Sequence, residues 1–134
     1  FLGVLPDAWL LEEYLRATVF VFPSRTVIEC LGLSFVQAMA CGVPVVAAEI
    51  AGAPEVIRDG ENGVLFPVND VRVLAERVVD LLTDPVKRKS LGANGRETVT
   101  SMFSFDAVMR DLKDVYDEII PREGSGSPEK RPPP

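Results

Sequence analysis

The sequence predicts an α/β fold in which a parallel sheet is flanked by helices, and three observations carry that expectation. Short apolar runs rich in β-branched residues, Thr18–Phe22, Val43–Ala48 and the briefer Gly63–Phe66, read as strands covered on both faces. Segments with apolar residues at helical spacing lie between and after them. The chain has 134 residues, 47% hydrophobic and 25% charged, enough for one soluble domain with a real core.

The elements follow in order. Phe1–Val4 reads as the tail of a strand. Pro6–Ala17 carries Trp9, Leu10, Leu11, Tyr14 and Leu15 at helical spacing. The strand Thr18–Phe22 stops at Pro23-Ser24, the chain turns through Glu29 and Gly32, and a helix over Ser34–Cys41 ends at Gly42. After the strand Val43–Ala48, Ala53–Arg58 forms a short helix closed by Asp59-Gly60, and Gly63–Phe66 is the next strand. Asp70 then caps a helix with the stripe Val73, Leu74, Val78, Val79, Leu81 and Leu82; Asp84-Pro85 opens a second and Phe105–Ile120 forms a third. That makes roughly four strands where a full doubly wound sheet has about six. We therefore expect residues 1–120 to be part of a domain whose remainder lies upstream of Phe1. Residues 121–134 are Gly, Ser, Pro and charge, and cannot bury enough apolar area to order themselves.

Composition narrows function. The formal net charge is -6, and the acidic excess lies before residue 121, which argues against a nucleic-acid face. There is no His, and Cys30 and Cys41 lack the spacing of a zinc knuckle or a redox pair, so no metal site is expected and both are read as reduced structural thiols. No apolar run approaches the roughly 20 residues of a membrane span, and a cytoplasmic location is the expectation.

The chemistry concentrates in Pro23–Ala48, PSRTVIECLGLSFVQAMACGVPVVAA. A helix that opens from a turn after a parallel strand presents unpaired N–H groups, here around Leu33 and Ser34, and such a start attracts phosphate. Gly32 would let the backbone approach a bulky ligand. Arg25 is read as a surface residue within reach of a phosphate, Glu55 as a local cap or pair, and Ala38, Met39 and Ala40 as core. Asp59, Gly60, Asn62 and Gly63 form a turn to which no chemistry is assigned.

The stretch just quoted, followed by AGAPEVIRDGENGVLFPVND, closely resembles the nucleotide-sugar-binding half of glycosyltransferase family 4 enzymes. The leading FLGVLPDAWLLEEYLRATVFVFPS and the late FSFDAVMRDLKDVYDEI resemble the family's approach to the motif and its closing helix, so the likeness spans residues 1 to about 120. It implies a Rossmann-like parallel sheet with flanking helices, the second half of a GT-B C-terminal domain. It also implies retaining transfer from a nucleotide-diphosphate sugar, with the donor a substrate rather than a cofactor and no metal needed. In the family, two glutamates stand with seven residues between them; the first lies by the transferred sugar and the second bonds the ribose hydroxyls. The resemblance assigns those roles to Glu29, as the catalytic-site acid, and to position 37, where this chain has Gln37 instead. Gln37 forgoes a charge-assisted bond, which predicts ribose binding weaker by about 1 to 2 kcal/mol.

Two readings follow. In the first, the chain is the carboxyl-terminal portion of a retaining glycosyltransferase, inactive by itself because acceptor and upstream phosphate-binding cations lie in the missing parts. Its partners are then a nucleotide sugar and, through the missing N-terminal domain, an acceptor and any membrane contact. In the second, Gln37 and the proline-rich tail mark a degenerate interaction module. A nucleotide-sugar epimerase of similar architecture ranks behind both. An open sheet edge beside Thr18–Phe22 predicts a homodimer or poor solubility.

Overall fold

A computed structural model describes residues 2–120. Pro6 caps the first helix, α1 (Asp7–Arg16), and β1 (Phe20–Phe22) follows. A single 3-10 turn (Val27–Glu29) leads to α2 (Leu33–Ala40), then β2 (Val45–Ala48), the one-turn α3 (Ala53–Val56) and β3 (Val64–Phe66). Three longer helices end the described chain, α4 (Val71–Thr83), α5 (Pro85–Phe103) and α6 (Phe105–Ile119).

The strands form a parallel sheet in the order β1-β2-β3, with Phe20 opposite Val45 and Val46 opposite Val64. Every residue of the central strand is buried, as the apolar run predicts. Its residues alternate between two cores. Val45 and Ala47 meet Tyr14, Phe22, Phe35 and Met39 on one face, while Val46 and Ala48 meet Phe66, Leu81 and Leu91 on the other. Helix α5 serves both, with Val99 in the first cluster and Leu91 in the second. Its closest approach is at Gly92, where an added Cβ would lie 2.2 Å from the carbonyl oxygen of Gly42.

Several expectations are corrected. Residues 2–4 form no strand: Gly3 has φ +67, Val4 is fully exposed, and the described sheet has three strands rather than four. Phe1 and the tail 121–134 lie outside the described residues. The ladder holds only Phe20–Phe22 of the run Thr18–Phe22 because pairing to β2 begins at Phe20, whose N–H donates to the Pro44 carbonyl. Of the α4 stripe, Val79 and Leu82 face outward at 57% and 51% exposure, since a helix turns about 100° per residue and one sheet face accepts only part of that arc. Ala40 is exposed, and so is Cys30, which therefore fills no structural role in the core. Helix α6 packs chiefly on α5 and leaves Phe105, Val108, Leu112, Val115 and Ile119 exposed.

Asn62, expected to be an ordinary turn residue, is the one buried polar side chain among the described residues, at 4% exposure. Its Oδ1 accepts from the Arg58 N–H at 2.7 Å, and its Nδ2 donates to the Val56 carbonyl and to Thr98 Oγ1. It thus staples the turn before β3 to α5. Asn62→Ala strands these partners and is expected to cost about 2 to 3 kcal/mol, read by chemical denaturation.

Candidate functional site

The three described strands run in parallel, and the loops leaving their carboxyl ends hold the three non-glycine residues with positive φ among the described residues: Cys30 (φ 48) after β1, Ala51 (φ 53) after β2 and Asn69 (φ 66) after β3. Such conformations cost about 1 to 3 kcal/mol each and persist where surroundings impose them. Here the loops brace each other. The Gly52 N–H donates to the Cys30 carbonyl at 2.6 Å, and a Cβ on Gly52 would sit 2.8 Å from the Leu31 Cα.

This bracing delivers the chain into α2 through Gly32, its N-cap, at φ +78. The fold itself gives a reason for glycine there, besides the expected close approach of a ligand. An added Cβ would lie 2.8 Å from Phe35 Cε1 and 2.9 Å from Phe22 Cζ, so its space is occupied by the protein's own aromatic pair. Those rings are 5.3 Å apart and inclined by 60°, a tilted contact that pins the start of α2 to the end of β1.

A glycine cannot cap with a side chain, and none from elsewhere among the described residues does so; the first turn of α2 also carries no acid. The contrast with the later helices is direct: Asp70 caps α4, Asp84 caps α5 and Ser104 caps α6, each accepting from the backbone three residues on. The N–H groups of Leu33 and Ser34 therefore remain open to an external acceptor, with the helix dipole's positive end behind them. Leu33 is exposed and Ser34 half-buried.

Gln37 lies one turn further, on the same side as Leu33 and Ser34 by helical spacing, and is exposed. Its Oε1 accepts a hydrogen bond from Tyr14 Oη at 3.2 Å. Tyr14 is itself fixed, 9% exposed with its ring 5.7 Å from that of Phe20. Burial, with a smaller contribution from Cys41, pushes its phenol above the ordinary range, so it remains a donor at neutral pH. A cleft of about 380 Å³ runs between α1 and α2, lined by Asp7, Leu10, Leu11, Tyr14, Gln37 and Ala40. Sequence reasoning missed Tyr14 because its spacing in α1 marks it only as core; the contact to Gln37 joins residues 23 apart.

The other candidates are placed as follows. Glu29 ends the 3-10 turn, three residues before Gly32. Arg25 is exposed and beside a shallow cleft with Ser24, Thr26 and Asn69; Glu55 is exposed on α3. A second cleft of about 380 Å³ at Arg58, Asn62, Asn94 and Thr98 is held by the staple described above, so its amides are already committed. No group of three or more His, Cys, Asp or Glu among the described residues is placed to hold a metal ion.

A parallel sheet with an open helix start at the carboxyl end of its first strand defines an α/β domain of the Rossmann-like class. The chain belongs to the glycosyl transferases group 1 family, whose profile matches residues 1–98. It is 34% identical over 120 residues to a GDP-mannose-dependent monoacylated alpha-(1-6)-phosphatidylinositol monomannoside mannosyltransferase of Corynebacterium glutamicum, covering 86% of this chain and 31% of that protein. Among solved structures, it matches Anabaena HepE in complex with UDP-glucose at a TM-score of 0.79 and 25% identity, over 89% of this chain and 32% of that one. It matches the C-terminal domain of a glycosyl transferase group 1 protein from Francisella tularensis at a TM-score of 0.68 and 29% identity, over 78% of this chain and 53% of that domain. The fold is thus that of a GT-B glycosyltransferase, and the chain spans under a third of the first of these relatives and about half of a solved C-terminal domain.

Proposed function

We propose that this chain holds part of the donor site of a retaining glycosyltransferase of hexosyl type, the acceptor and the rest of the donor site belonging to other parts of the enzyme. The observation that carries this is the uncapped start of α2 at the carboxyl end of β1, where every later long helix has its own cap. Amides of Leu33 and Ser34 would stabilise charge building on a nucleoside diphosphate as the sugar leaves, without a metal. Glu29 would stand by the transferred sugar and Gln37 by the ribose. The mannosyltransferase named above is GDP-mannose-dependent and the Anabaena protein was solved with UDP-glucose, which supports a nucleotide sugar as the ligand class.

Catalysis needs donor and acceptor held together, so the chain by itself is proposed to be inactive. No helix among the described residues is long and apolar enough to cross a membrane, and a cytoplasmic site of action completes the proposal. Titration with UDP, GDP and ADP sugars is expected to shift the amide resonances of Leu33 and Ser34 for at least one nucleotide; no shift with any of them overturns the reading. Gln37→Glu is expected to tighten that binding about tenfold, the equivalent of about 1.4 kcal/mol.

A second reading, a degenerate interaction module, is favoured by Gln37 together with the proline-rich tail. Unchanged affinity in Gln37→Glu would select it. The outer edge of β1 has no strand partner among the described residues, and its pairing with a second copy is expected to appear as a dimer in size-exclusion chromatography.

A further inference from the structure

No further inference is drawn: the strongest candidate, the apolar face that α6 turns to solvent through Phe105, Val108, Leu112, Val115 and Ile119, is left bare by α5, and nothing in the structure shows what covers it.

Discussion

Gly92→Ala destabilises the protein by about 3 kcal/mol, even though alanine is a better helix former than glycine by about 1 kcal/mol. The reversal comes from the contact between α5 and the end of α2. A Cβ at position 92 would be 2.2 Å from the Gly42 carbonyl oxygen and 3.1 Å from its carbon. Neither side can yield cheaply. The Gly42 peptide is held at φ +76 by its own N–H to the Met39 carbonyl at 2.8 Å, and the next N–H, of Val43, donates to the Ala38 carbonyl at 3.0 Å. Helix α5 is held by Leu91 and Val99, which are buried in opposite cores. A shift of α5 large enough to admit a methyl group would loosen both faces of the sheet together. Ala93 is exposed on the same helix and gives the control: Ala93→Gly costs only about 1 kcal/mol through helix propensity. Chemical denaturation of the two variants decides the matter, and a Gly92→Ala protein as stable as the parent would refute this account of the packing.

How much of this was legible beforehand depends on the range of the interaction. Helix starts at Asp70, Asp84 and Ser104 follow from local chemistry, because a short polar side chain reaches an N–H only three residues away. The buried strand β2 follows from its unbroken apolar run. The uncapped start of α2 was likewise readable from Gly32 followed by Leu33. Three features were not legible, each decided across long sequence separations. Gly92 meets Gly42 through packing geometry that no local pattern records. Asn62 looks like a turn residue until Thr98 arrives above it. Tyr14 reads as one apolar position of α1 until α2 brings Gln37 to its hydroxyl. The candidate site divides the same way: Gly32, Leu33 and Ser34 were read from the turn that opens α2 and Gln37 from the family resemblance, whereas what sets their geometry lies on α1, β1 and the loop after β2.

Gly32→Ala should act on fold and site together, and its two effects can be separated. A left-handed backbone at φ +78 costs a non-glycine residue about 1 to 2 kcal/mol. Overlap with the rings of Phe22 and Phe35 adds a further 1 to 2 kcal/mol or so, because those side chains are 9% and 0% exposed and have little room to retreat. The loss of about 3 kcal/mol is read as a lowered denaturation midpoint. Gly32→Asn meets the same rings but tolerates the left-handed region better, so it is expected to recover about 1 kcal/mol. Nucleotide affinity follows a different logic. The protein can relieve the ring overlap by unwinding the first turn of α2, which moves the Leu33 and Ser34 amides away from where an anion would meet them. Both substitutions are then expected to weaken nucleotide binding by tenfold or so, under conditions where the protein is still folded. Leu33→Ala separates the two contributions from the other side: Leu33 is 69% exposed, so its truncation leaves stability nearly unchanged and keeps the amide in place. If Gly32→Ala lowered stability but bound nucleotide as well as Leu33→Ala does, the helix start would be an element of the core and the anion would have to bind elsewhere.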